Sequence, residues 1–139
     1  MIILDTNVVS EVMRPQPDLG AKKWLDSQRT EALYLTATSL GELMAGIASM
    51  PDGRRKDGFA RLLQEFRLSV LNRRILPFDD AAASAYAILV ARAQTKGRAI
   101  AIADGQIAAI GQVHGFIVAT RDTSPFEAAG VAFLNPWEG

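Results

Sequence analysis

The sequence predicts an α/β protein of three layers, a mainly parallel sheet of about five strands with helices on both faces. Three observations carry this. Short apolar runs alternate with longer segments of helical spacing, the connections are long enough for crossover helices, and turn signals mark each change. The chain has 139 residues, 49% of them hydrophobic, enough to bury the core of one compact domain over residues 1–139.

Ile2 to Leu4 is an apolar run ending in Asp5-Thr6-Asn7, the pattern of a buried strand that stops at polar loop residues. After Pro15 and Pro17, Asp18 can cap a helix to about Gln28, and Leu33 to Thr36 reads as a second strand. Thr38 to Met50 carries Leu40, Leu43, Met44 and Ile47 at helical spacing and stops at Pro51-Asp52-Gly53. From Arg55 to Leu71, Phe59, Leu62, Leu63, Phe66 and Val70 form one apolar stripe of a further helix. Ile75 to Phe78 is a third strand. Asp80 to Lys96 is an alanine-rich helix ending at Gly97, and Ile100 to Val113 is another, closed by His114-Gly115. Phe116 to Thr120 and Val131 to Leu134 are the last strands.

Composition narrows the chemistry. Without cysteine, and with one histidine, neither a thiolate nor a multi-histidine zinc site is possible, so any metal must be held by oxygen. The absence of a long apolar stretch or a basic leader leads us to expect a soluble, cytoplasmic protein away from membranes. Fifteen basic and fifteen acidic residues cancel, which argues against a general polyanion binder held by net charge. Between Arg54 and Arg74, however, seven basic residues face two acidic ones, a local +5 that either steers a polyanion or is simply a solvated helix face.

Ligands of an open parallel sheet bind beyond the carboxyl ends of its strands. Asp5 and Asp122 each follow an apolar strand, while Glu42 and Asp104 lie near predicted helix N-termini, which point to the same edge. Each has a plain alternative. Asp5 can cap the next helix, Ser39 and Glu42 can form a capping box, and Asp104 and Asp122 can be cap or turn residues. Four independent caps need not share one edge, however. Two carboxylates about 4 Å apart repel by roughly 4 kcal/mol at an effective dielectric near 20, so four together bind protons or recruit a cation. Mg²⁺, or Mn²⁺, is the simpler solution, with Asp5 and Asp104 as direct ligands and Glu42 and Asp122 completing the shell or holding a second ion. Such a cluster suits phosphodiester hydrolysis.

Asp5-Thr6-Asn7, Gly41-Glu42-Leu43, Asp104 before Ile107-Ala108-Ala109, and Thr120-Arg121-Asp122 together resemble the four acidic motifs of PIN-domain nucleases, over essentially the whole chain. Within that family the sequence looks like the VapC-type toxins. Arg14-Pro15-Gln16-Pro17, Arg74 to Asp79 and Asn135-Pro136-Trp137 are similar to the FitB-like branch. The resemblance implies a PIN-like fold, a Mg²⁺-dependent ribonuclease acting on an RNA substrate, and a homodimer. It also implies an antitoxin whose C-terminal segment occupies the active-site groove, and supporting roles for Asn7 and Thr120. Gly41, poor inside a helix, suggests close packing or a helix that starts nearer Glu42.

Other candidates are set aside. His114 suits a helix C-terminus, and Asp79-Asp80 suits a helix cap. Trp24, Trp137, Tyr34 and Tyr86 are dispersed rather than interleaved with the basic segment, as core residues would be. Neither nucleotide-binding glycine motif is present. A phosphorylatable receiver domain also gathers aspartates and Mg²⁺ at strand ends, but it needs a lysine after a late strand, where this chain has Arg121-Asp122. A PIN-like binder that does not cut is the remaining alternative, and the intact set of acids argues against it.

Overall fold

In the computed structural model, which describes residues 1–138, β1 (Ile2–Leu4) lies at the centre of the sheet. It pairs in parallel with β2 (Leu33–Thr36) on one side and β4 (Ile117–Ala119) on the other. β3 (Ile75–Leu76) and β5 (Phe133–Leu134) are the edges, giving the order β3-β2-β1-β4-β5, all parallel. The predicted fold class is borne out. β1 and β2 have the bounds their apolar runs suggested, whereas β3, β4 and β5 are shorter, pairing for only two or three residues before the chain turns away.

Alternation along β1 and β4 divides the interior. Ile3 and Val118 face one side and Leu4 and Ala119 the other, as the two-residue period of a strand requires. On the Leu4 side pack α1 (Thr6–Val12) through Val8 and Val9, α3 (Ala37–Ala48) through Leu43 and α4 (Arg54–Glu65) through Leu63. Trp24 of α2 (Leu19–Asp26) is also against this cluster. The Ile3 side is covered by α5 (Asp80–Thr95), α6 (Ile102–His114) and α7 (Ser124–Ala129), with Phe126 fully buried. Trp137 joins the first cluster and Tyr34 and Tyr86 the second, so the dispersed aromatics are core residues.

The predicted helices form with small corrections. Asp18 caps α2 by accepting from the Ala21 N–H at 2.9 Å, and Asp79 caps α5 by accepting from Ala82 at 3.0 Å. Gly115 ends α6 at φ 69°, a left-handed conformation that a residue without Cβ adopts freely. The helix expected from Arg55 to Leu71 widens into a π turn at Phe66–Val70. Arg74 satisfies the backbone there: its guanidinium donates to the carbonyls of Val70 (2.8 Å), Leu33 (2.9 Å) and Thr30. One of the seven basic residues of the charged segment is therefore a structural staple. Two helices escaped the sequence reading. α1 is seven residues rich in β-branched and polar types, and α7 is only six, although Ser124-Pro125 and Gly130 mark its ends.

Candidate active site

The strand order dictates where a site can form. After β1 the chain builds outward to β2 and β3, then returns to place β4 on β1's other side, so the crevice lies beyond the carboxyl ends of β1 and β4. The register pairs Leu4 with Ala119, which sets Asp5 beside Thr120. The Asp5 N–H donates to the Ala119 carbonyl at 2.9 Å, so pairing continues one residue past the strand. Asp5 is 4% exposed and Thr120 is fully buried.

A hydrogen-bonded network grows from that pair. Asp5 accepts from the Thr6 N–H (2.7 Å) and thereby caps α1; its other oxygen accepts from the Thr120 hydroxyl (2.7 Å) and the Asn7 amide (3.3 Å). The Asn7 carbonyl oxygen accepts from the Arg121 N–H at 3.2 Å, and Thr120 Oγ1 accepts from the Asp122 N–H at 3.1 Å. Asn7 and Thr120 thus tie the end of β1 to the turn carrying Asp122. Capping and membership of the site are not alternatives for Asp5, since its two oxygens serve both.

Glu42 corrects one expectation. The capping residue of α3 is Thr36, whose hydroxyl accepts from the Ser39 N–H at 3.0 Å, so Ser39 and Glu42 form no capping box. The Glu42 carboxylate instead accepts from the Thr6 hydroxyl at 2.7 Å. Gly41 is corrected too: the helix begins at Ala37, and a Cβ at Gly41 would meet no atom within 4 Å, so neither a late start nor packing within the chain explains it. Asp104 is not a cap, since Ala101 holds that position; it sits in the first turn of α6. The neighbouring Gly105 is a close-approach residue, where a Cβ would come within 2.7 Å of the Tyr86 ring.

All four acids line one open cleft of about 450 Å³, together with Thr6, Asn7, Ser10, Glu11 and Arg14. The last three were missed in the sequence. Asn7, Glu11 and Arg14 follow helical spacing, and the signal was hidden because α1 was read as a loop. His114 and Asp79 lie outside the cleft, as expected.

The electrostatics follow from this crowding. Burial pushes the Asp5 carboxyl above its usual range despite its hydrogen bonds, with Glu42 and Asp122 adding repulsion. Asp104 is pushed up to about 6, by burial first and then by Asp5, Asp122 and Glu42. The positive end of α6 favours its anion but is outweighed. Among the described residues no three acids already surround a single point as a closed metal cage. An all-oxygen, electron-rich cleft of this kind fits a cation bound through one or two carboxylates and water, as Mg²⁺ prefers.

A stability consequence can be measured. Because both folded-state values are raised, the folded protein holds these protons more tightly than the unfolded chain. Their contribution is most favourable below about pH 4 and is lost as pH rises through about 6. In chelator, Asp104→Asn should exceed the parent in stability at pH 7.5 by about 1 kcal/mol, after discounting for screening at this partly exposed group. Chemical denaturation should show the gap closing toward pH 5; a gap that widens would contradict this assignment.

Fold and cleft together define a class: an α/β protein whose acids converge at the switch point of a parallel sheet. The chain belongs to the PIN domain family, whose family model matches residues 2–131. It is 51% identical over 138 residues to the VapC ribonuclease Y4jK of Sinorhizobium fredii and 47% identical over 137 residues to the toxin FitB of Neisseria gonorrhoeae. In both cases 99% of each chain is covered. The crystal structure of FitAcB from Neisseria gonorrhoeae superposes with a TM-score of 0.94 at 46% identity, covering all of both chains.

Proposed function

We propose that this chain is a Mg²⁺- or Mn²⁺-dependent endoribonuclease acting as the toxin of a toxin–antitoxin pair. The observation that carries the reading is the convergence of Asp5, Glu42, Asp104 and Asp122 on one cleft. Similarity to a VapC ribonuclease and to toxin FitB supports it. Asp5 and Asp104 would hold the cation, with Asp122 and Glu42 completing its shell. The bound ion would polarise the scissile phosphate and lower the pKa of attacking water. The protein's part is orientation: Thr6 fixes Asp5 through its N–H and Glu42 through its hydroxyl, while Thr120 fixes Asp5 and the Asp122 turn. Glu42, which is exposed, would be the carboxylate that accepts a proton from water. Cleavage of RNA by the purified protein with Mg²⁺ or Mn²⁺, and its loss in chelator, tests the proposal. Cleavage unaffected by chelator would refute the metal role.

An antitoxin segment would find two adjoining features. Beside the acid cleft runs an apolar groove of about 280 Å³ lined by Leu43, Ile47, Met50 and Phe59, and it shares Thr6, Ser10, Arg14 and Glu42 with the cleft. A peptide with apolar anchors and one arginine fits both, because a guanidinium pairs bidentately with carboxylates and stays charged when partly buried. Replacing the arginines of the inhibitor's C-terminal segment by alanine should relieve inhibition, and excess Mg²⁺ should weaken the parent inhibitor. Full inhibition by every variant at matched occupancy would rule out that mode.

The homodimer we propose rests on exposed apolar surface. Met44 is 49%, Leu62 44% and Leu68 45% exposed, and Ala37, Gly41 and Ala45 form an open stripe along α3. A second helix approaching that stripe would explain Gly41. Sedimentation should show a dimer at micromolar concentration and a monomer for Gly41→Arg. A monomeric parent protein would count against it.

A further inference from the structure

We propose that Arg14, Arg54 and Arg55 form a phosphate-holding rim that carries a single RNA strand past the acid cleft on the side where α1 ends and α4 begins. The inference rests on the nuclease reading and adds a path for the substrate. Arg14 lines the acid cleft and also a neighbouring cavity of about 350 Å³, where it is joined by Arg54, Arg55 and Phe59. Arg14 is therefore common to the walls of both hollows.

The basic residues nearby divide by what they already hold. Arg74 is consumed by three backbone carbonyls, and Lys56 pairs with Asp52 at 3.1 Å. Arg54 and Arg55 are exposed and have no acidic partner among the described residues. The Arg55 guanidinium lies over the Phe59 ring at 5.7 Å, an arrangement that orients it while leaving its N–H donors free. Arg14 pairs loosely with Glu11 at 3.4 Å, and its side chain is still 63% exposed. Glu11 is 7% exposed, and its other oxygen accepts from the Asp18 N–H at 2.9 Å. That buried carboxylate holds Arg14 through one guanidinium nitrogen, Nη1, while the side chain otherwise faces solvent.

The charge pattern explains the need for such a rim. Four carboxylates repel a polyanion, and a cation within the cleft compensates only the phosphate being cut. Flanking phosphates require their own positive partners, which a groove tracking the backbone supplies without reading sequence. Arg14 stands at the boundary, and Arg54 and Arg55 continue outward, so the field changes sign along the strand's path.

The test is binding and cleavage of a single-stranded RNA oligonucleotide by the parent protein and by Arg14→Gln, Arg54→Gln/Arg55→Gln and the triple variant. All three positions are exposed, and thermal melting checks that each folds. Measured in chelator, the triple variant should bind roughly tenfold or more weakly, and the slope of log affinity against log salt should fall by about 2, at about 0.7 for each phosphate no longer neutralised. With Mg²⁺, KM for the oligonucleotide should rise while kcat holds. Unchanged affinity and slope would overturn the rim, as would variants that lose a protein partner but bind RNA normally. If the parent binds RNA through these arginines yet never cleaves, the nuclease reading fails and the rim stands. Normal cleavage with arginine-independent binding refutes the rim and leaves the nuclease reading intact.

Discussion

Asp5→Asn, alone and with Asp104→Asn, should abolish RNA cleavage while the protein stays folded. Asparagine caps helices about as well as aspartate, so its carbonyl oxygen can keep the bond from the Thr6 N–H. Its amide would then face Thr120 Oγ1 and donate to it, the threonine hydroxyl can turn to the Asp122 carbonyl, already 3.3 Å away, and the Asn7 amide, which loses its 3.3 Å bond to residue 5, still has Thr120 Oγ1 at 3.3 Å. Loss of the Asp5 charge also removes one of the repulsions that add to burial in raising Asp104. Stability without metal should therefore hold or rise. Activity should fall far more than about a hundredfold, the upper cost of losing a group that merely orients a metal ligand. Denaturation and gel-based cleavage report the two effects separately. A folded double variant that cleaves at the parent's rate would falsify the acid-cluster mechanism.

Thr120→Val should have the second largest effect, and on both properties together. Valine matches threonine in shape but removes a hydroxyl that donates to Asp5 at 2.7 Å and accepts from the Asp122 N–H at 3.1 Å. At a position with no solvent access, the groups left unpaired cost about 1–3 kcal/mol. The Asp122 turn also loses its tie to β1. Metal affinity and cleavage should drop about 10- to 100-fold, the range for lost outer-shell partners. Calorimetric titration of Mn²⁺ into this variant and into Thr120→Ser separates orientation from packing, because serine restores the hydroxyl and should recover most of the affinity. Equal binding by the valine variant would show that the hydroxyl serves folding alone.

The sequence disclosed the large elements and the location of the acids, because both depend on local signals. Apolar runs that end abruptly in Asp5 and in Arg121-Asp122 are strand ends whatever surrounds them, and parallel connections send such ends to a single edge. The short helix α1 left no such mark. Its Thr-Asn-Val-Val-Ser-Glu-Val has poor intrinsic helix preference and is held by tertiary packing of Val8 and Val9. With it went the positions of Ser10, Glu11 and Arg14. Ser39 and Glu42 show the opposite error: their spacing satisfied a local rule, but the cap is Thr36, three residues before Ser39, and Thr6, 36 residues away in sequence, took the carboxylate. The fate of Arg74 was similarly invisible, since three carbonyls from two segments receive it only after the chain has folded.

The central position of β1 also governs when the cleft can exist during synthesis. The threonine that positions Asp5 comes 115 residues after it in the chain. At about 5–20 residues per second the ribosome needs on the order of ten seconds to cover that distance. Until β4 docks, one side of β1 stays unpaired, and closing it is the kind of long-range pairing that forms late. A chain interrupted anywhere before Thr120 lacks both that residue and Asp122. A product cut short before Asp122 cannot carry the complete cluster, so the cleft that gathers the four acids is assembled only after both arms of the sheet have been made.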